Sequence, residues 1–65
     1  MKLTINGKEQ SLAVKTVADI VSHFKFAPEQ VVVELNKEIV KRELYAKKTL
    51  AQGDTLEIIT LVGGG

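Results

Sequence analysis

Between Thr16 and Phe24 the apolar residues fall into a helical rhythm found nowhere else in the chain. Val17, Ile20, Val21 and Phe24 follow the i, i+3, i+4, i+7 spacing of an amphipathic helix, while the flanking segments read as strands. A single apolar stripe of this kind is buried most simply by laying it across one face of a sheet built from the rest of the chain. Thr16 is placed to cap that helix, and Asp19 three residues on completes a capping pattern and complements the positive helix end. Pro28 biases Ala27 away from helical geometry, so the helix is expected to end near Phe26.

The strands follow from shorter signals. Leu3 and Ile5 alternate with Lys2, Thr4 and Asn6, and Asn6-Gly7 is the turn pair of a type I′ hairpin. The second hairpin strand is expected from about Glu9 to Val14, with Leu12 and Val14 on one face. Gln30 to Leu35 contains the β-branched run Val31-Val32-Val33, whose near-continuous apolarity predicts a strand well covered by its neighbours. Asn36-Lys37 reads as a turn and Ile39-Val40 as a short strand, and the stretch from there to Leu50 has no clean period and reads as irregular. After the Gly53-Asp54 turn, Thr55 to Val62 is the longest β-favouring segment and is expected at the sheet centre. A right-handed crossover through the one helix then gives an α+β roll with a mixed sheet, the last strand parallel to the first. That is a β-grasp arrangement, with a domain over residues 1–62 and a flexible glycine tail over residues 63–65.

Composition narrows the function. A chain of 65 residues without cysteine needs nearly all its aliphatic side chains for its core, which disfavours an enclosed catalytic pocket and an enzyme acting alone. Nine Lys and Arg against eight Asp and Glu fall short of the basic excess expected of a nucleic-acid or anionic-membrane binder. The absence of cysteine excludes a thiolate metal site, a catalytic thiol and a persulfide carried on the chain. His23 is the only histidine and lies off the helical stripe, so no metal site is expected. The first residues alternate instead of forming an apolar signal core, and no run reaches membrane-spanning length, so a cytoplasmic location is expected.

The reactive feature is the ending Gly63-Gly64-Gly65. Glycines bury no side chain and lose the most backbone entropy on ordering, so packing does not account for three in a row. Without Cβ atoms they can thread a slit too narrow for other residues, and three extended residues reach roughly 10 Å. The terminal carboxylate would then be an unhindered group on a flexible arm. Phe26 and Tyr45 are expected at the edge of the core, with an exposed docking patch as the alternative. Lys37, Lys41, Arg42, Lys47 and Lys48, offset by Glu38 and Glu43, read as a solvated face, with a steering patch for an acidic partner as the alternative.

Several of these segments carry a family resemblance. The hairpin at Asn6-Gly7, the stretch Asn36-Lys37-Glu38-Ile39-Val40-Lys41-Arg42, the Gly53-Asp54-x-Leu-x-Ile segment and the ending Val62-Gly63-Gly64-Gly65 are similar to the ThiS-type sulfur carriers of thiamine biosynthesis, in the MoaD/ThiS family of ubiquitin-like β-grasp proteins. The likeness spans nearly the whole chain, and it departs from the pattern at Lys41, where a proline is frequent. The resemblance implies a protein that is not itself an enzyme and binds no cofactor. An adenylating, E1-like activating enzyme would use ATP to convert the Gly65 carboxylate to an acyl-adenylate. A cysteine desulfurase or related donor would supply sulfur to make the thiocarboxylate, and thiazole synthase would consume it. Gly63, Gly64 and Gly65 would thread the partners' active sites, and the free chain would be a monomer. Two alternatives stand beside this reading. One is a related carrier of the molybdopterin-synthase small-subunit kind or a ubiquitin-like modifier, and the other is a β-grasp binding module whose glycines are incidental.

Overall fold

The computed structural model describes residues 1–61. Its elements run β1 (Lys2–Ile5), β2 (Lys8–Ser11), α1 (Val17–His23), a 3-10 turn (Pro28–Gln30), β3 (Val31–Leu35), β4 (Glu38–Val40), a second 3-10 turn (Arg42–Leu44) and β5 (Thr55–Thr60). The five strands form one mixed sheet in the order β2-β1-β5-β3-β4. β5 lies at its centre, parallel to β1 and antiparallel to β3, as the β-grasp expectation required.

The turns form where residues tolerate left-handed backbone. Asn6 and Gly7 have φ of 52° and 82°, and Asn36 and Lys37 have φ of 53° and 74°, so both hairpins close on pairs with positive φ at each central position. Alternation then sets the register. Leu3 and Ile5 of β1, Val31, Val33 and Leu35 of β3, and Leu56 and Ile58 of β5 all point into one cluster with Val17, Ile20 and Val21 of α1. A helix of seven residues is too short to persist alone in water, so its stability comes from that packing. Burying each of those three side chains is worth about 1.5–3 kcal/mol.

Four expectations need correction. The second hairpin strand stops at Ser11, so Leu12 and Val14 reach the core from the connection to α1 and not from a strand face. The helix stops at His23, before Pro28 can act. Lys25 takes φ of 65°, its N–H donates to Ser22 O at 2.9 Å, and Phe26 N–H donates to Val21 O at 3.1 Å. This is a Schellman stop with lysine where glycine is usual, and Pro28 instead opens the first 3-10 turn. The β5 strand ends at Thr60, not Val62. The apolar run of β3 and β5 is covered on one face only, since Ile59 beside Val32 is 46% exposed on the other.

The stretch without a period turns out to finish the helix. Val17 N–H donates to Lys48 O at 3.0 Å and Ala18 N–H to Tyr45 O at 2.9 Å. Asp19 N–H donates to Thr16 Oγ1 at 3.2 Å, and Ile20 N–H to Thr16 O at 3.3 Å. Ile20 N–H thus makes the first intrahelical bond, and the four amides that the helix start leaves open, those of Thr16, Val17, Ala18 and Asp19, are all paired. Thr16 N–H in turn donates to Asp19 Oδ2 at 3.0 Å, completing the capping box read from the sequence.

Candidate functional site

The three glycines singled out above, Gly63, Gly64 and Gly65, lie outside the described residues, as does Val62. The described structure therefore defines the base from which they leave, and that base is β5. On one side β5 pairs with β3 along its whole length, and Leu61 N–H extends the ladder by donating to Gln30 O at 2.8 Å. On the other side β1 pairs only through Thr4 with Thr55 and Ile5 with Leu56.

Two asparagines brace β5 beyond what the strands supply. Asn6 Oδ1 accepts from Ile58 N–H at 2.8 Å and its Nδ2 donates to Ile58 O at 3.4 Å. Asn36 Oδ1 accepts from Thr55 N–H at 3.0 Å while its Nδ2 donates to Asp54 Oδ1 at 3.1 Å. Asp54 Oδ2 accepts from Ala51 N–H at 2.8 Å, which closes the Gly53 turn, where φ is 90°. Each asparagine thus serves twice, first in a left-handed turn position and then as a side-chain substitute for strand pairing. The sequence marked both as turn residues, but nothing in it signals the second task, since the partners are 52 and 19 residues away.

The face of the sheet opposite α1 is uncovered. Ile39, Ile59 and Leu61 are exposed there or at its margin, and Glu34 of β3 stands directly across from Glu57 of β5. Like charges opposite one another cost stability, so their placement is not a packing solution. Sequence reasoning counted Ile59 and Leu61 among the apolar residues of the central strand and so missed this surface. Its signal was the even-numbered spacing of Glu57, Ile59 and Leu61 against Leu56 and Ile58.

Tyr45 is buried, not part of an exposed patch, whereas Phe26 packs partly against the core and lines a groove beside Phe24 and Ile58. Lys37, Lys41, Arg42, Lys47 and Lys48 are all exposed, and Lys41 and Lys48 border a second groove with Ile39 and Leu44. His23 is exposed with its ring edge-on to Phe24 at 4.9 Å between centroids. Among the described residues no group of three or more His, Asp or Glu could hold a metal ion. No described helix is long and apolar enough to cross a membrane. The described part thus offers surfaces and a held strand instead of an assembled set of reactive side chains.

Comparison with known proteins points the same way. The family model described as the ThiS family matches residues 3–65. The sulfur carrier protein ThiS of Bacillus subtilis is 35% identical over 65 residues, covering 97% of this chain and 98% of that protein. A thiazole synthase of Paramagnetospirillum magneticum is 39% identical over 66 residues, but the chain spans only 20% of its length. A second thiazole synthase, from Magnetococcus marinus, is 36% identical and is likewise spanned over 20% of its length. The crystal structure of the thiamine biosynthesis protein ThiS from Geobacter metallireducens superposes with a TM-score of 0.82 at 39% identity, with both chains fully covered.

Proposed function

The chain belongs to the ThiS family, and from that premise we propose that it is a sulfur carrier protein of thiamine biosynthesis. The observation that carries this reading is the family match itself, which runs through the glycine ending and not only through the folded part. In this reading residues 1–62 form the handle and Gly63, Gly64 and Gly65 the part that enters a partner's active site.

The chemistry follows from what a carboxylate lacks. It is a poor electrophile, so an oxygen of the Gly65 carboxylate first attacks the α-phosphorus of ATP on an adenylating enzyme, and pyrophosphate leaves. The outer sulfur of a persulfide, delivered from a cysteine desulfurase or related donor, then attacks the acyl carbon and displaces AMP, and a thiol reduces the resulting acyl disulfide by two electrons to release the thiocarboxylate. The thiocarboxylate is nucleophilic at neutral pH and passes its sulfur to the substrate held by a thiazole synthase, and an oxygen from that substrate or from water takes its place to regenerate the carboxylate. The two thiazole synthases that contain a stretch similar to this chain support that partner. The carrier supplies no acid, base or metal to any step, which fits the lack of cysteine and a cytoplasmic setting.

Intact mass spectrometry of the untagged chain tests the proposal. After incubation with ATP, an activating enzyme and a cysteine/desulfurase sulfur source, the expected result is a mass gain of one sulfur for one oxygen, mapped to Gly65. Failure to form either adenylate or thiocarboxylate with partners that are active on another carrier would leave the glycines incidental to a binding module.

A further inference from the structure

The ladder between β3 and β5 assigns each residue of β5 to one side. Asn36 N–H donates to Thr55 O at 2.7 Å and Leu61 N–H to Gln30 O at 2.8 Å, so the odd-numbered residues from 55 to 61 turn their main-chain groups toward β3. Leu56, Ile58 and Thr60 turn theirs toward the β1 side. There Leu56 O receives Asn6 N–H at 2.9 Å, and the Asn6 side chain takes both main-chain groups of Ile58. The hairpin has by then reversed at Asn6 and Gly7, so among the described residues nothing pairs with the N–H and C=O of Thr60, which border a notch one step farther along. On the α1 side this notch opens into a groove of about 490 Å³, walled by Phe24, Phe26, Ile58 and Lys8.

We propose that the notch seats an extended segment of the thiazole synthase. That segment pairs with the Thr60 main chain in the line β1 has vacated. It lays an apolar side chain between Phe24, Phe26 and Ile58, and sets a carboxylate against Lys8. Three features select the chemistry of this segment, and the thiazole synthases that contain a stretch similar to this chain supply its identity. Main-chain groups in strand geometry are satisfied best by another main chain, and the groove beside them takes the alternate side chain. Lys8 is the only charged residue on the groove wall among the described residues, so the complementary segment is acidic at that end. Thr60 also lies close in sequence to the glycines, with Gly65 at most about 18 Å of extended chain away, so a grip there fixes how far the tail can reach. The inference rests on the carrier reading for the identity of the partner, and on the geometry of β5 for the place.

The test uses the full chain with Thr60→Pro and Lys8→Glu. Proline removes the one N–H that faces the notch without touching the β3 ladder, and Lys8 is exposed, so each variant is expected to keep the wild-type amide spectrum away from the substituted residue and its neighbours. Calorimetric titration against thiazole synthase should show about tenfold weaker binding for Thr60→Pro, the equivalent of one main-chain hydrogen bond. Lys8→Glu should slow association and flatten its salt dependence. In the wild-type complex the Thr60 amide should become protected from hydrogen exchange. Wild-type affinity in both variants, or protection confined to Val32, Ile39 and Ile59 on the opposite face, overturns the proposal. Self-association of the free chain that Thr60→Pro abolishes would put a second copy in the notch and overturn it equally. Thiocarboxylate formation is scored separately by mass. A chain that acquires sulfur normally but binds synthase independently of Thr60 refutes the docking site alone. A chain that never acquires sulfur refutes the carrier reading.

Discussion

Tyr45 Oη donates a hydrogen bond of 3.3 Å to Val31 O from a ring that is 4% exposed. The bond stands where a strand has run out. Val33 pairs with Val40 at the end of β4, so the next outward-facing carbonyl of β3, that of Val31, has no strand beside it. Tyr45 fills that position much as Asn6 does for Ile58 on the other side of β5. Tyr45→Phe keeps the ring and strands a buried carbonyl, which should cost about 1–3 kcal/mol. Tyr45→Ala adds a cavity and should cost about 3–5 kcal/mol. Urea denaturation of both variants checks the difference; an unchanged midpoint for the phenylalanine variant would show that water replaces the hydroxyl.

Lys25 pays a local strain that its side chain does not need to. With φ of 65° it occupies the position after the helix where glycine is usual, and left-handed backbone costs a residue with a Cβ roughly 1–2 kcal/mol. Lys25→Gly should relieve that strain, partly offset by the greater freedom of glycine in the unfolded chain, for a net gain of up to about 1 kcal/mol. Lys25→Ala separates conformation from charge and should give no gain. Thermal melts of the two variants side by side decide between them.

Local signals in the sequence were enough for the I′ turn at Asn6-Gly7, the place of the turn at Asn36-Lys37, the helical stripe, the capping box and the central place of β5. Each depends on residues within a few positions of one another. What the sequence left illegible depends on partners far along the chain. The helix stop was read from Pro28 because proline is a visible breaker, whereas the actual stop is made by the backbone of Lys25 and Phe26, residue types that carry no such mark. The stretch through Tyr45 and Lys48 shows no period because its work is to lend carbonyls to the start of α1 and a hydroxyl to β3. At the candidate site the glycines were legible as composition, but the notch at Thr60 arises from the mismatch between a short β1 and a longer β5, which only the register reveals.

Asp19 makes the helix start sensitive to acid. Its carboxylate accepts from Lys15 N–H at 2.9 Å and from Thr16 N–H at 3.0 Å, and these bonds hold its pKa below the usual value of 3.8. A folded-state pKa below the unfolded one means that the stabilisation is fully present above the unfolded value of about 3.9 and is lost as pH falls through the folded one. Stability should therefore be flat in this respect from neutral pH to near pH 5 and decline below about pH 4. Asp19→Asn should be less stable at neutral pH and lose that part of the acid dependence. Denaturation midpoints between about pH 2 and pH 6, with the Asp19 carboxyl followed by NMR, measure both effects; parallel curves for the two proteins would contradict the assignment.

The tail and the folded part should answer to different changes, because the buried core of the described residues lies wholly ahead of the glycines. The core of the described residues closes with Leu56 and Ile58, and their ladder with β3 reaches Leu61, so removing Gly64 and Gly65 should leave the stability within about 0.5 kcal/mol of the full chain. The same truncation should abolish sulfur acquisition, since in the proposed carrier chemistry the activated group is the carboxylate of Gly65. Gly64→Val tests threading separately from length: it keeps a terminal glycine carboxylate but adds a β-branched side chain that a slit shaped for glycine excludes. Its thiocarboxylate yield should fall at least about a hundredfold with stability unchanged, because a steric clash of a few kcal/mol at the reacting end acts on the rate and not on the fold. Mass spectrometry with the activating enzyme in excess measures the yield. Normal sulfur loading of Gly64→Val would mean that the partner reads the carboxylate without enclosing the chain behind it.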